Sequence, residues 1–315
     1  HLSIRRQRQM CIRDRLKAGD LYFALKGPNF NGNVFAIAAL ESGAAYAIVD
    51  EAIADSDSYQ DRIILVQDVL TTLQQLAKYH RQQFDIPFIA ITGSNGKTTT
   101  KELVYTVLAS HFNTFTTQGN LNNHIGVPLT LLNIPKNADI AVIEMGANHQ
   151  KEIESYCAYT LPTHGMITNC GKAHLEGFGS EEGVKKGKGE LYDFLREHHG
   201  TVFIMEDYDY LQTMSQGMPH LIGYGQYSGQ IQGEAMDADG MLTVKINKGI
   251  DLDTIQTNLV GNYNLPNVLA AVTIGQYFKV PNEKIKAAIE NYIPTNSRSQ
   301  LVQWKNNEVI LDAYN

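Results

Sequence analysis

The sequence predicts an α/β protein with a small N-terminal domain and a larger domain built on a mostly parallel sheet. From residue 17 onward, short apolar runs alternate with amphipathic stretches of helical length. Two of the runs, Phe88–Thr92 and Ile140–Met145, are apolar almost throughout, which is typical of strands covered by helices on both faces. The 315 residues are enough for two domains that each bury a core.

The N-terminal domain is predicted over residues 16–84. It should contain three short strands and a helix between the first two, and an amphipathic helix should lead out of it. The predicted strands are Leu21–Leu25, Tyr46–Val49 and Ile63–Val66, and the predicted helices are Val34–Ser42 and Val69–Phe84.

The larger domain is predicted over residues 85–295. Its first strand, Phe88–Thr92, is followed by a glycine turn and a helix from Lys97 to about Ser110, and later strands are Ile140–Met145 and Met166–Thr168. Between residues 201 and 246 the apolar runs shorten and glycines multiply, which predicts hairpins at the sheet edge. Helices are predicted at Glu181–Leu195, Asn264–Phe278 and Asn282–Asn291. Residues 296–315 should begin a further domain, because a new strand, Val309–Leu311, starts just before the sequence stops.

The composition excludes several classes of protein. Hydrophobic residues make up 43% and charged residues 19% of the chain, as in ordinary globular proteins. The net charge of −7 gives no bulk attraction to nucleic acid. No apolar run approaches the ~18 residues of a membrane-spanning helix, so no membrane insertion is expected. Three cysteines fit reduced thiols rather than a disulfide framework, and we therefore expect a cytoplasmic protein.

The first fifteen residues differ from the rest of the chain. They carry five arginines and one aspartate and lack the apolar core of a signal peptide. The string resembles translated sequencing-adapter sequence, and we interpret residues 1–15 as a non-native or artefactual segment. Without it, 21 basic residues face 32 acidic ones, a balance of −11.

The strongest motif is the string TGSNGKTT at residues 92–99, between a buried strand and a helix. This arrangement directs backbone N–H groups and the positive end of the helix dipole at one point, as a phosphate chain requires. Glycines permit the close approach of the backbone. Lys97 would reach the β- and γ-phosphates, and the Thr98 hydroxyl would bind Mg²⁺. The spacing is not that of a standard Walker A loop, since Ile91 stands where its first glycine belongs. The alternative, a strand–helix turn without a ligand, has less support because every part occurs in the required order.

Two further strand ends offer candidate metal ligands. Glu144 ends an apolar strand and is followed by Gly146 after one residue, and carboxylate oxygens suit Mg²⁺. His174 lies in the glycine-rich loop NCGKAHLEGFGS after the next strand. A lone loop histidine is more often simply exposed, and the lysines of the following helix would by default form a solvated face.

Together, five strings resemble the Mur ligases, the ATP-dependent amide ligases of cell-wall synthesis. They are TGSNGKTTTKEL, TQGNLNNHIGVPLTLL, AVIEMGANHQKEI, NCGKAHLEGFGSEEGVKKGKGEL and LVGNYNLPNVLAAV. The resemblance covers residues 17 to 315. It implies a uridine-nucleotide-binding N-terminal domain, a central ATP-binding domain, and a Rossmann-like C-terminal domain that is largely missing from this sequence.

The resemblance also implies roles for individual residues. Thr98, Glu144 and His174 match magnesium ligands of the family, and Lys188 matches a lysine carbamylated to help hold a second Mg²⁺. Gly187 stands where the family usually has alanine, which should loosen the helix by up to ~1 kcal/mol. Catalytic roles are implied for Lys97, Lys188 and His174. The implied ATP-binding residues are Gly93, Ser94, Asn95, Gly96, Lys97, Thr98, Thr99, Asn267, Arg298 and Asp312, and the implied substrate-binding residues are Asn120, Asn122 and Asn123.

Within the family, the AHLEGFGS string favours the ligase that joins D-alanyl-D-alanine to UDP-N-acetylmuramoyl-tripeptide through an acyl phosphate. ATP, two Mg²⁺ ions and a carbamylated Lys188 are the implied cofactors, and the enzyme is expected to be a monomer. Three alternatives stay open: a sister ligase of the family, a folylpolyglutamate synthase-like ligase, and an inactive nucleotide-binding fragment. Because the C-terminal domain would complete the ATP site, we expect this chain to bind nucleotide weakly and to turn over little.

Overall fold

The computed structural model describes residues 16–54, 57–172, 175–236, 240–294, 300–304 and 307–311. The chain forms two compact units, one ending at Tyr79 and the other beginning at His80. The domain ranges 16–84 and 85–295 stay predictions. None of the helices in the described ranges is long and apolar enough to cross a bilayer.

The first unit contains a three-stranded parallel sheet. Its strands are β1 (Leu21–Phe23), β2 (Tyr46–Val49) and β3 (Ile63–Leu65), in the order β1-β2-β3. Helix α1 (Ala36–Glu41) is shorter than predicted because a 3₁₀ turn, Gly32–Phe35, precedes it. The Asn31 side chain accepts a hydrogen bond from the Asn33 N–H at 2.9 Å and so caps that turn. Helix α2 (Val69–Arg81) follows.

The second unit is built on a nine-stranded sheet. The strands are β4 (Phe88–Thr92), β5 (Thr114–Thr116), β6 (Ile140–Glu144), β7 (His164–Ile167), β8 (Thr201–Met205), β9 (His220–Gly225), β10 (Ile231–Met236), β11 (Met241–Lys248) and β12 (Thr254–Val260). Their order across the sheet is β12-β11-β10-β9-β8-β7-β4-β6-β5; the pairings from β5 to β10 are parallel, and those of β10 with β11 and of β11 with β12 are antiparallel. The predicted α/β class with a mostly parallel central sheet is confirmed.

The helices of this unit connect the parallel strands or cover the sheet. They are α3 (Lys97–Ala109), α4 (Gly126–Leu132), α5 (Glu152–Thr160), α6 (Leu175–Phe178), α7 (Glu181–Glu197), α8 (Asp209–Met214), α9 (Leu265–Tyr277) and α10 (Asn282–Glu290). Helix α9 is buried on nearly every side, because it packs against both α3 and the sheet. A hairpin of β13 (Gln300–Trp304) and β14 (Asn307–Leu311) follows, so the strand predicted at Val309–Leu311 is longer and has a partner.

The prediction for residues 201–246 was only partly right. Hairpins do form the sheet edge, but they begin at β10, and β8 and β9 are parallel strands of the central sheet. All five residues of β8 are buried. The connecting helix α8 has six residues, which is too short to show a helical period in the sequence.

Arg81 holds the N-terminal end of β4 in place. Its guanidinium donates to the carbonyls of Thr160 and Leu161, at 2.8 and 3.0 Å, and stacks 3.6 Å from the centre of the Phe88 ring. Burial lowers the pKa of Arg81 to about 10. Those carbonyls belong to the C-terminal end of α5, so the positive charge caps that helix and fixes where the first strand of the site begins.

Candidate functional site

The carboxyl ends of the parallel strands surround a cavity of about 1210 Å³. In open α/β sheets, ligands bind at this edge. The loop between β4 and α3 forms one wall, with the ends of β6 and β7 beside it. The loops before α4 and after β6, part of α5, the N-terminal end of α9 and the residues after β8 and β9 also line it.

Two glycines fix the shape of the β4–α3 loop. Gly93 has a φ of +142°, and a Cβ there would fall 2.0 Å from the hydroxyl oxygen of Thr168 on the neighbouring strand end. Gly96 has a φ of +79°, and its Cβ would fall 2.8 Å from Oδ1 of Asn267. Any side chain at either position would therefore collide with an adjacent element, in addition to straining the backbone. The glycine spacing that differs from Walker A is a packing requirement of this fold.

The loop ends where α3 begins, and Gly96 is the N-cap of that helix. The first turn of a helix leaves its N–H groups without intrahelical partners, and they point along the helix axis. Here they face the cavity, whose lining includes Gly96 to Thr99. This geometry can hold an anion.

Ser94 and Asn95, both predicted to bind the nucleotide, already have hydrogen-bond partners for their backbone N–H groups. The N–H of Ser94 donates to the backbone oxygen of Asn169 at 2.9 Å, and the N–H of Asn95 donates to Asn169 Oδ1 at 3.0 Å. The Ser94 hydroxyl donates to the carbonyl of Gly171 at 3.1 Å. These two residues line the cavity, but their amides bind the β7 loop.

The Lys97 side chain folds back over the loop. Its Nζ donates to the carbonyl oxygens of Gly93 at 2.8 Å and Ser94 at 3.0 Å. Phosphate oxygens in the cavity would compete with these neutral carbonyls and would form stronger, charge-assisted hydrogen bonds. Lys97 is thus a cation held beside the helix start.

Thr98 and Glu144 meet, as the sequence predicted. The Thr98 hydroxyl donates to both carboxylate oxygens of Glu144, at 2.9 and 3.1 Å, and Glu144 is only 1% exposed. Asn122 donates its amide to the same carboxylate at 2.8 Å, and the Glu144 N–H donates to Thr117 Oγ1 at 3.0 Å. A hydroxyl and a buried carboxylate side by side are oxygen donors of the kind that Mg²⁺ takes, so these residues fit that ion. Within the described ranges, no group of three or more His, Cys, Asp or Glu side chains is arranged so that it could hold a metal ion, and His174 lies outside the described residues.

Lys188 is buried in α7, with 1% of its surface exposed. Its Nζ donates to the Ala147 carbonyl at 2.8 Å and lies 5.1 Å from the centre of the Phe178 ring. Burial, and then the positive charge of Lys97, lower the pKa of Lys188 to about 7. A Cβ on Gly187 would fall 2.5 Å from the Phe178 ring. Glycine there makes room for that ring, a role that its low helix propensity did not reveal.

The asparagines predicted for the site differ in the groups that they contact. Asn267 lines the cavity above Gly96, accepts from the Thr100 hydroxyl at 3.0 Å and donates to Asn264 at 2.8 Å. Asn123 also lines the cavity, and its side-chain oxygen accepts from the N–H groups of Ile125 and Gly126, at 3.1 and 2.8 Å, where α4 begins.

Among the remaining predicted residues, Asn122 contacts Glu144 and also lines the cavity. Asn120 is exposed. Arg298 and Asp312 lie outside the described residues.

Asn169 and Thr117 were missed as site residues by sequence reasoning. Both are polar residues near strand ends: Thr117 directly follows β5, and Asn169 is the second residue after β7. The pattern that identified Glu144, a polar residue at the end of an apolar strand, could have selected Asn169. Thr117 follows a short strand of mixed character, Thr-Phe-Thr, and gave no such signal.

The chain is similar in sequence to known proteins. The family model described as the Mur ligase middle domain matches residues 91–275. The chain is 35% identical over 304 residues to the UDP-N-acetylmuramoyl-tripeptide–D-alanyl-D-alanine ligase of Bacillus subtilis (strain 168), covering 96% of this chain and 65% of that protein. It therefore spans slightly less than two thirds of the length of this relative.

Solved structures are similar as well. A crystal structure of MurF from Acinetobacter baumannii superposes with a TM-score of 0.87 at 30% identity, covering 96% of this chain and 66% of that one. The MurF ligase of Thermotoga maritima in complex with ADP gives a TM-score of 0.85 at 27% identity, covering 96% of this chain and 70% of that one.

Proposed function

The chain belongs to the Mur ligase family, and we propose that it provides the ATP site of a ligase joining D-alanyl-D-alanine to UDP-N-acetylmuramoyl-tripeptide in peptidoglycan precursor synthesis. The observation that carries this proposal is the meeting of Lys97, Thr98 and Glu144 at one cavity. The relatives that bear this activity in their names support the choice of substrates.

The proposed reaction has two steps. An oxygen of the terminal carboxylate of the tripeptide attacks the γ-phosphorus of ATP, and ADP leaves, so that an acyl phosphate forms. The amine of D-alanyl-D-alanine then attacks the acyl carbon and forms the C–N bond. The C–O bond to phosphate breaks, inorganic phosphate leaves, and the amine proton passes to phosphate or solvent. Phosphoryl transfer depends mainly on positioning and charge stabilisation, and Lys97 and the first turn of α3 supply both.

Thr98 and Glu144 are the residues that would hold Mg²⁺, and His174 is a further candidate ligand. When bound, the ion would neutralise charge on the transferring phosphoryl group. Asn122 and Thr117 hold the Glu144 carboxylate in place through its side chain and its backbone. Water is largely kept from this carboxylate because it is buried, which strengthens its interaction with any cation.

We also propose that Lys188 is carbamylated and then helps to hold a second Mg²⁺. Only a neutral amine attacks CO₂, and a pKa of about 7 leaves a large neutral fraction at pH 8. With ¹³C-bicarbonate at pH 8, we expect a carbamate carbon signal in NMR spectra of the wild-type chain. The signal should disappear in Lys188→Met and persist in Lys186→Met, which replaces an exposed lysine of the same helix. A signal that survives in Lys188→Met would assign the modification elsewhere.

The remaining substrate contacts are proposals of the same kind. Asn267, Arg298 and Asp312 would contact ATP, and Asn120, Asn122 and Asn123 would hold the muramyl-peptide. The N-terminal unit would bind the uridine nucleotide. We propose a cytoplasmic monomer that binds no nucleic acid.

The proposed activity is tested by phosphate release. The chain is incubated with ATP, Mg²⁺ and UDP-N-acetylmuramoyl-tripeptide, with or without D-alanyl-D-alanine, and the Bacillus subtilis relative serves as the positive control. Release that requires D-alanyl-D-alanine supports the assignment. Release driven equally by a single amino acid would instead indicate a sister ligase, and release with a folate in place of the nucleotide would indicate a folylpolyglutamate synthase.

A second candidate function is nucleotide binding without turnover. It is supported by Lys97 and the N-terminal end of α3 at one cavity, which suit the phosphates of a nucleotide whether or not a ligase reaction follows. ADP binding measured by calorimetry, without phosphate release under any substrate combination, would establish this function and would exclude ligase activity by the chain alone.

A further inference from the structure

We infer that Asn169 is a positioning residue that holds the β4–α3 loop in its nucleotide-binding shape before any nucleotide arrives. This inference rests on the proposed nucleotide site and adds to it a residue outside the loop. Asn169 lies two residues beyond the last residue of β7, and β7 is hydrogen-bonded to β4 in parallel.

The Asn169 side chain pairs with the backbone of a single loop residue. Its Oδ1 accepts from the N–H of Asn95 at 3.0 Å, and its Nδ2 donates to the carbonyl oxygen of Asn95 at 3.1 Å. The backbone N–H and the carbonyl oxygen of Asn95 are thus both bound by one side-chain amide, much as a neighbouring strand would bind them. An asparagine can do this because its side chain carries an acceptor and a donor; no carboxylate or hydrocarbon of that size can.

Adjacent residues reinforce the same attachment. The Thr168 hydroxyl donates to the Asn95 carbonyl at 2.6 Å, and the Ser94 N–H donates to the Asn169 backbone oxygen at 2.9 Å. Gly93 packs so tightly under Thr168 that a Cβ would overlap its hydroxyl. The loop is therefore fixed to the end of β7 at three consecutive residues.

This attachment determines which amides are available to phosphate. The N–H groups of Ser94 and Asn95 are used by Asn169, so the N–H groups at the start of α3, from Gly96 onward, are those aimed at the cavity. Fixing the loop in advance lowers the entropy lost when a nucleotide binds. Asn169 therefore acts on affinity through Asn95, without needing to touch the nucleotide.

The test compares Asn169→Ala with wild type in two measurements. The first is hydrogen exchange of the Asn95 amide without nucleotide, and the second is the dissociation constant of ADP with Mg²⁺. We expect exchange at Asn95 to rise at least about tenfold and ADP affinity to fall about tenfold, the usual consequence of losing a hydrogen-bonded contact. Asn169→Asp keeps the acceptor but sets an oxygen against the Asn95 carbonyl, so it should not restore affinity.

Asn258→Ala is the matched control. Asn258 is also half-buried and also donates to backbone carbonyls, those of Glu290 and Tyr292 at 2.7 and 3.2 Å, but it lies outside the described cavity lining. The Asn258→Ala variant should have a lower melting temperature than wild type, with unchanged ADP affinity and unchanged hydrogen exchange at the Asn95 amide.

The outcomes separate this inference from the proposed function. If Asn169→Ala exchanges faster at Asn95 but binds ADP as wild type does, the inference is wrong. It is also wrong if Asn169→Ala binds ADP more weakly with unchanged exchange, since Asn169 would then contact the nucleotide directly. If wild type binds no ADP, the proposed function fails, and the exchange measurement alone decides whether Asn169 holds the loop.

Discussion

Replacing Lys97 by alanine is expected to lower the affinity of the chain for ADP and Mg²⁺ about 100-fold. Lys97 is a cation held beside the first turn of α3, and its Nζ donates to the neutral carbonyls of Gly93 and Ser94. A nucleotide would replace these with charge-assisted hydrogen bonds to phosphate. Each is worth about 1.5–3 kcal/mol, and a loss of ~3 kcal/mol corresponds to about two orders of magnitude in the dissociation constant.

The matched control for this variant is Lys284→Ala. Lys284 donates to a backbone carbonyl as Lys97 does, that of Ser110 at 3.0 Å, beyond the opposite end of α3. Calorimetric titration with ADP should show wild-type affinity for Lys284→Ala, and both variants should unfold within a few degrees of wild type. An affinity of Lys97→Ala within about threefold of wild type would show that phosphate is bound elsewhere, since one lost charge-assisted contact already exceeds that factor.

Replacing Lys188 by methionine is expected to stabilise the fold while it removes the proposed carbamylation site. Burial lowers the pKa of Lys188 from its ordinary 10.5 to about 7. One pKa unit corresponds to about 1.4 kcal/mol, so the fold bears a cost of about 5 kcal/mol when this amine is protonated in both states. Methionine has a similar length and no charge to desolvate. Allowing about 1 kcal/mol for the Ala147 carbonyl that loses its donor, we expect a net gain of about 2–4 kcal/mol at pH 6.5.

The pH dependence of this gain gives the sharper test. Below about pH 7 the Lys188 amine is protonated in both the folded and the unfolded chain, so burying its charge destabilises the fold by the full amount. Between pH 7 and 10.5 only the unfolded chain keeps the proton, and wild-type stability rises with pH. The advantage of Lys188→Met should therefore shrink between pH 6.5 and 9.5 in denaturant unfolding without bicarbonate. Lys186→Met, an exposed position on the same helix, should stay near wild type at both pH values. An unchanged advantage across this range would argue against a depressed pKa.

A lysine with the role proposed for Lys188 that destabilises its own fold would agree with the general observation that sites are built at the expense of stability. The same cost explains why the buried carboxylate of Glu144 is surrounded by donors. Thr98 and Asn122 donate to the carboxylate, because a buried charge without hydrogen bonds is strongly unfavourable. Thr117 accepts from the backbone N–H of Glu144.

The sequence by itself determined the fold class, the position of the β4–α3 loop and the family resemblance. Each depends on short-range order along the chain: a run of four apolar residues, a glycine turn, and a lysine and a hydroxyl at a helix start. Such features report local backbone geometry and burial, so β4, α3 and the end of β6 were predicted to within one residue. The pairing of Thr98 with Glu144 also followed, because strands with parallel neighbours end at the same edge of a sheet.

Only the tertiary structure decided what surrounds these groups. The contacts of Asn169 with Asn95 and of Asn122 with Glu144 join residues 74 and 22 positions apart, and no local pattern encodes such a distance. The same holds for Gly187, whose neighbour Phe178 comes from another helix. The depressed pKa of Lys188 arises from burial and from Lys97, which lies far away in sequence. A charged run that looked like a solvated helix face thus contains a lysine that the fold has removed from water.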